Sequence, residues 1–417
     1  MFVTWAPYFD CIAGGELIRY FYYSFRFIFE LLALPFIFAS ALSSRRAQKR
    51  VDVGLGPFPL INNVYHKRAL ELAGYSAETF VSQVWHITSN FDVRFDLHRL
   101  SQNLLCRKLL LNFYIFCWSA RRYRTLIIYF DGGPLGQGTA FLWRLEPYLY
   151  RLAGVKTIVL PYGSDVQVMS RSPNLQFKHA MSMDYPQHRT RHAHIQAMVD
   201  VWSSIGSHIV GGCEWVDYMH HWDTLMIAHF SIPLPEQGER KPPGRVGPLK
   251  LLHAPNHREI KGTRHIIRAV EELRAEGIDV ELVMVERVPN EEVRRLILEA
   301  DVIVDQLVIG WYAMFAIEAM ASGKPVICHL RRDLEELYVA AGLLDGFDEI
   351  PIIRADAFSL KEVIRTLHTD RDILVSAAER GRGYIERHHS VEAISLAFSK
   401  ILAKLIGPPE GTVENRA

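Results

Sequence analysis

Residues 300–327 read ADVIVDQLVIGWYAMFAIEAMASGKPVI. A short β-branched run at 301–304 ends in a loop, and an alanine-rich apolar helix follows. Gly323-Lys324-Pro325 turns the chain, and Val326-Ile327 begins another strand. Strand, helix and strand in such close succession form the repeating unit of a parallel sheet covered by helices. One acid, Glu318, sits among the apolar residues of that helix. A carboxylate there either complements the positive end of the helix or accepts hydrogen bonds from a pair of ligand hydroxyls. Ala316, Ala319 and Ala321 beside it are small enough to let a ligand approach.

The same rhythm extends on both sides. Upstream, strands are expected at 249–255 and 280–285, with helices at 263–275 and 291–298. Earlier still, strands are expected at 51–56, 125–130 and 156–165, and helices at 65–72, 101–122 and 141–152. Between the two series, 233–248 holds five prolines and three glycines, which is linker chemistry. The expectation is an α/β chain with two domains, at 51–235 and 236–390, facing across a cleft. A hydrophobic and basic segment (1–50) precedes them, and an amphipathic helix with a tail (391–417) follows. The length of 417 residues suits two such domains.

Ligands of open α/β sheets bind beyond the carboxyl ends of the strands. Four strand-end loops therefore hold the candidate residues. In HAPNHREIKGT (253–263), Arg258, Lys261 and Gly262 lie between a strand and a helix start, a setting that suits a diphosphate or is simply a solvated loop. Asp131 and Asp165 end strands in the first domain and are the candidate catalytic acids. Gly54 and Gly56 form a Gly-x-Gly at another strand end, which is either a ligand loop or a tight turn.

The chain carries a net charge of +1, which gives no electrostatic case for nucleic acid. Five scattered cysteines, Cys11, Cys106, Cys117, Cys213 and Cys328, contain no C-x-x-C and fit reduced thiols in the cytosol. His188, His192 and His194 lack a completing ligand nearby, so no metal site is expected. The aromatics of 215–222 read as packing.

At the N-terminus, 20–42 reads YFYYSFRFIFELLALPFIFASAL and is followed by Arg45, Arg46, Lys49 and Arg50. Glu16, Arg19, Arg26 and Glu30 share one helical stripe, and Phe21, Phe25, Ile28 and Leu32 the opposite one. The pattern fits a helix in the membrane interface with its basic cluster toward anionic headgroups; a span and a buried helix are the alternatives. The first ten residues contain no Lys or Arg, which argues against a signal peptide.

The motifs KGT at 261–263 and IEAMASGKPVI at 317–327, with the spacing between them, resemble the donor domain of the GT-B glycosyltransferases, specifically the retaining family 4. The resemblance covers about 250–330. It is looser over 125–230, through LPYGSDV and IVGGCEWVDYM, and leaves out the first fifty residues. It implies two Rossmann-like domains and a nucleotide-sugar donor serving as co-substrate, with no essential metal or cofactor. Arg258 and Lys261 would hold the diphosphate, Glu318 the ribose, and Glu286 and Val288 would lie near the base. The family pattern places another glutamate eight positions before Glu318, where this chain has Gly310; Asp305 or the backbone around Trp311 stands in. Tyr162 takes the place of a frequent family histidine.

These readings lead to an expected membrane-associated enzyme at the cytoplasmic face. It would transfer a sugar, with retention, to a lipid-linked or polysaccharide acceptor. A non-catalytic binding subunit and a nucleotide-sugar epimerase are the alternatives.

Overall fold

The computed structural model describes residues 15–49, 51–84, 88–136, 138–235, 243–244 and 246–409. Cys11, Arg50, most of the proline-rich linker, the end of the tail and the side chains of Glu16, Arg19 and Phe21 lie outside the described residues.

The first domain begins with helix α1 (Gly15–Ser44), strand β1 (Val51–Leu55), helix α2 (Ile61–Leu72) and strands β2 (Ala77–Val81) and β3 (Val93–Arg94). Helices α3 (Arg99–Gln102), α4 (Leu104–Leu109) and α5 (Leu111–Arg122) lead to β4 (Tyr123–Tyr129). Then come α6 (Leu142–Leu152), β5 (Lys156–Leu160), α7 (Leu175–Asp184), α8 (His188–Ile205), β6 (His208–Gly212) and β7 (Thr224–Met226). The seven strands are parallel, in the order β3-β2-β1-β4-β5-β6-β7.

The second domain runs β8 (Leu249–His253), α9 (Arg258–Lys261), α10 (Thr263–Ala275), β9 (Val280–Met284), α11 (Asn290–Glu299) and β10 (Val302–Val304). It continues with α12 (Met314–Ala321), β11 (Val326–Cys328), α13 (Arg332–Ala340), β12 (Ile353–Arg354), α14 (Leu360–Thr369) and α15 (Asp372–His388). Its five parallel strands lie in the order β12-β11-β10-β8-β9. The last helix, α16 (Val391–Ile406), returns to the first domain and packs on α2. Strand residues alternate between the two faces, as the pleat requires. Ile127, Tyr129, Ile158 and Leu160 share a core with Ile394, Phe398 and Ile401 of α16, while Leu126, Ile128 and Val159 face Phe116, Tyr150 and Trp202.

Two expectations change. The predicted continuous helix at 101–122 is broken. The Asn103 side chain accepts from the amides of Leu105 and Cys106 and so caps α4, which separates it from α3. Helix α1 keeps the two stripes read from the sequence, with the charged one toward the protein and the apolar one outward, the reverse of a helix in water. Its protein-facing stripe contains Arg26 (3% exposed), Glu30 (0%), Ile37, Ala41 and Ser44. Leu32 (69%) and Phe36 (78%) point outward, with Phe25, Ile28 and Leu42. A carboxylate earns that buried place by satisfying donors. Glu30 accepts from Arg26 Nε at 3.2 Å and from the amides of Ala140, Phe141 and Leu142 at 2.6, 3.0 and 3.3 Å. It therefore caps α6 from another element, as a helix N-terminus favours. Arg26 also donates to the Lys108 carbonyl. Lys49 does not join Arg45 and Arg46 in facing outward. Its Nζ donates to the carbonyls of Ala120 and Ala153 at 3.0 and 2.9 Å, and burial lowers its pKa to about 8.

Four buried histidines predict how stability varies with pH. Burial lowers His66 and His389 to about 3 and His229 and His253 to about 4. Their contribution is whole above the unfolded value near 6.5 and is lost as pH falls toward 4, because only the unfolded chain takes up the protons. Glu146 and Glu214, raised by burial to about 8 and about 7, act in the opposite sense. Their contribution is present below about 4.5 and fades as pH rises through 7–8. Denaturant midpoints should peak near pH 6.5 and fall more steeply on the acid side. A midpoint that stays flat through the acid range contradicts this assignment.

Candidate functional site

The order of each sheet reverses once, between β1 and β4 in the first and between β8 and β10 in the second. Crevices open beyond the carboxyl ends of strands at such switch points. In the second domain, the β8 and β10 loops therefore frame the candidate donor site.

His253 ends β8 and ties the crevice together. Its Nδ1 donates to the Val304 carbonyl at 2.7 Å, so Nε2 is the acceptor for the Thr263 hydroxyl at 2.9 Å. Lys261 closes the one-turn helix α9. It is not a solvated loop cation: it is 8% exposed, and its Nζ lies 2.6 Å from Asp305 Oδ1. Asp305 follows β10, and its Oδ2 accepts from the Ala313 amide at 3.3 Å, at the head of α12. The N-cap residue, Ala313, has no side-chain oxygen of its own to offer. The Lys261–Asp305 pair thus sits against the positive end of a helix at the switch point, a setting that attracts phosphate. Gly262, at φ +76, permits the tight passage from α9 to α10; a Cβ there would lie 3.1 Å from that of Leu307.

Glu318 lies on α12 beyond its first turn, so the helix-end explanation of its charge does not apply. It is 7% exposed, and Arg294 Nη2 of α11 lies 3.4 Å from its Oε1. The same Nη2 lies 3.3 Å from the Tyr65 hydroxyl of α2, which links the two domains. Arg258 and Glu286 pair with each other through two bonds of 2.8 and 2.9 Å at the exposed rim, and Val288 is 40% exposed beyond them.

Three sequence expectations are corrected here. The Trp311 indole is fully buried against Tyr312 and Tyr338, and its carbonyl already accepts from the Gln306 amide, so neither faces a ligand. Gly54 and Gly56 are packing glycines rather than a ligand loop. A Cβ on Gly54 would lie 2.5 Å from the Tyr123 ring, and one on Gly56 2.0 Å from the Phe80 carbonyl oxygen. Asp165 is 1% exposed and serves as a loop clamp, accepting from the amides of Phe130, Tyr162 and Gly163. Burial and the neighbouring Asp131 push its carboxyl well up.

Asp131 remains at the end of β4, with the Tyr162 hydroxyl donating to its Oδ2 at 2.5 Å. The glycine-rich loop after it is fixed in place, since Glu146 accepts from the amides of Gly133, Leu135 and Gly136. Among the described residues, no group of three or more metal-ligating side chains forms. His194 instead lies against Trp143.

Gly310 shows why a glutamate cannot occupy its position. Its φ is +95, and a Cβ would come within 2.5 Å of Arg331 Cγ. Arg331 in turn pairs with Asp217 of the first domain at 2.5 Å and with Asp333 at 2.5 Å. Sequence reasoning missed this inter-domain bridge, and also Arg294, Tyr65 and the buried Glu214. Only Asp305 carried a signal, its place at a strand end. Ile260 N donates to Asp184 of α7 at 2.9 Å, and Asn174 Nδ2 to the Val308 carbonyl at 2.7 Å, which join the domains on another side.

No protein-family model and no curated protein matches this chain. Solved structures do. Sucrose-phosphate synthase from Thermosynechococcus elongatus shares 13% identity, with 85% of this chain and 99% of that one covered and a TM-score of 0.51. HepE of Anabaena in complex with UDP shares 11% identity over 86% and 100% of the two chains, with a TM-score of 0.52. The same protein with UDP-glucose gives 11%, 85%, 100% and 0.51. At such identities the likeness is one of architecture, and the two parallel sheets with their returning helix give this chain the GT-B fold of those proteins.

Proposed function

We propose that the chain is a glycosyltransferase that moves a sugar from a nucleotide-sugar donor to a lipid-linked or polysaccharide acceptor at the inner face of the cell membrane. The observation that carries this reading is the meeting of Lys261, paired with Asp305, with the head of α12 at the second sheet's switch point, with Glu318 farther along the same helix. HepE, which has this fold, was solved with UDP and with UDP-glucose, and this supports a nucleotide-sugar donor.

In this reading Glu318 accepts both ribose hydroxyls, and Lys261 and the α12 amides hold the diphosphate, with Arg258 at the rim. As the bond from the sugar's anomeric carbon to the phosphate oxygen breaks, negative charge grows on the diphosphate. The fixed cation and helix end stabilise it there without a metal. The acceptor oxygen bonds to the anomeric carbon on the face the phosphate leaves, and its proton passes to the departing diphosphate. Asp131, held by Tyr162 at the first sheet's carboxyl edge, positions the acceptor hydroxyl.

Glu318→Ala removes two charge-assisted bonds, each of about 1.5–3 kcal/mol, so donor affinity should fall roughly 100-fold or more. Calorimetric titration across a panel of nucleotide sugars checks this, and unchanged affinity rejects the ribose contact. A non-catalytic binder is the second reading, favoured by the sealed Asp165 and the occupied surroundings of Gly310. It predicts donor-dependent thermal stabilisation without release of nucleoside diphosphate in the presence of any acceptor.

A further inference from the structure

Helix α1 covers the groove between α5 and α6. Phe29 stacks on Phe113 at 5.8 Å, Phe27 meets Phe141 at 5.1 Å, and Arg121 donates to the Ser43 hydroxyl at 3.0 Å. The stripe used for this combines Arg26, Glu30, Ala41 and Ser44 with Phe29 and Ile37. The wide remainder, including Phe25, Ile28, Leu32, Phe36, Phe38 and Leu42, is exposed. Leu104 and Leu105 of α4, each 65% exposed, lie close by, because Arg26 reaches the Lys108 carbonyl at that helix. A contiguous apolar surface of this kind is uncommon on a protein surrounded by water.

Its charge is one-sided. Over 23–49, 97–122 and 138–156, the acids are Glu30 and Glu146, both fully buried. Arg45, Arg46, Lys108, Arg121, Arg151 and Lys156 are exposed in the same segments. In a chain with net charge +1, these segments thus expose cations while their own carboxylates are buried. At the carboxyl end of α1 a cavity of about 300 Å³ is lined by Ala47, Lys49, Arg124, Gly154, Lys156 and Ile406. Arg124 there is paired with Asp52, but among the described residues no carboxylate pairs with Lys49 or Lys156.

The apolar stretch Tyr23–Ser44 is long enough to cross a bilayer. Spanning would pull Glu30 away from three amides and Arg26 away from the Lys108 carbonyl, and would carry both charges into hydrocarbon. Lying flat keeps every one of these bonds and gives the exposed face an apolar solvent.

We propose that α1 lies in the plane of the membrane, its outward face seated in one leaflet, with the cation pocket at its carboxyl end on the phosphates of anionic phospholipids. This rests on the membrane part of the proposed function and specifies which surface makes the contact. The acceptor-side loop is attached to it, since α6, capped by Glu30, also holds the 133–136 turn through Glu146.

The test is flotation of the full chain with vesicles of phosphatidylcholine alone and of phosphatidylcholine with phosphatidylglycerol. The chain should float with the anionic vesicles, weakly with the neutral ones, and be released by alkaline carbonate. Leu32→Glu with Phe36→Glu, both at exposed positions, should lower binding to either vesicle about tenfold or more. Arg46→Glu with Lys156→Glu should remove only the anionic preference. Resistance to carbonate indicates a span and overturns the proposal. So does a chain that stays off vesicles and forms a dimer broken by Leu32→Glu with Phe36→Glu, which makes a second copy the occupant. Saturation of the pocket by inorganic phosphate without any change in flotation overturns the headgroup contact. Donor-dependent thermal stabilisation, read on the same variants, should be unchanged. Its absence with flotation intact defeats the donor reading and leaves this one standing.

Discussion

Replacing Lys261 with alanine should destabilise the second domain by about 3–5 kcal/mol and abolish donor binding. Its ammonium is buried against Asp305, and removing one partner of a buried pair leaves the other charge without compensation. A solvated loop, the assumption that the sequence also allowed, would have made this substitution nearly neutral; the buried pair makes it costly. Arg258→Ala meets that assumption. Its guanidinium stands at the rim against Glu286, so the fold should hold while donor affinity drops. Urea unfolding of Lys261→Ala, Asp305→Asn and the double variant measures the coupling. The double variant should recover much of the stability and none of the donor affinity. If Lys261→Ala matches the parent in urea, the buried pair has been misread; if it still binds donor, the phosphate site lies elsewhere.

Glu30→Ala should have a comparable effect at the other end of the chain. It leaves the Arg26 guanidinium and the amides of Ala140, Phe141 and Leu142 without their shared acceptor inside the protein. The loss should reach about 3–5 kcal/mol for the orphaned pair, with about 1 kcal/mol more for the helix cap. Arg26→Met with Glu30→Gln should recover a good part of this, because no bare charge then remains buried. Limited proteolysis near 138–141 reads the result locally, and cleavage should accelerate only in the alanine variant. Equal cleavage in all three forms would show that α1 does not hold the head of α6.

Much of the architecture was legible in the residue pattern, because parallel strands buried on both faces appear as short runs rich in Val, Ile and Leu. TLIIY at the end of β4, KTIVL and LKLLH were all found this way, and 263–275 matched its helix at both ends. Helix 101–122 was misread because an apolar run does not reveal a cap in its midst, and Asn103 is such a cap. The strand at Ala77–Val81 went unseen because AETFV is short and half polar.

The site was less legible for a different reason. Sequence tells which side chains share a stripe but not which way the stripe faces. Arg26 and Glu30 were grouped correctly against Phe25, Ile28 and Leu32, yet the charges face the protein, because three amides there needed an acceptor. The glycines at 54 and 56 looked like a ligand loop, and only the neighbouring Tyr123 ring and Phe80 carbonyl explain them. Asp165 had the right strand-end position, but its oxygens were already committed to backbone.

The closing helix has an implication for the order of events at the ribosome. Ile394, Phe398, Ile401 and Leu402 complete the core that Val53, Leu55 and Ile127 begin. The first half of the polypeptide must therefore wait, one side of its sheet bare, while the whole second half is translated. Its greasy β1–β4 surface stays within reach of chaperones until α16 has emerged.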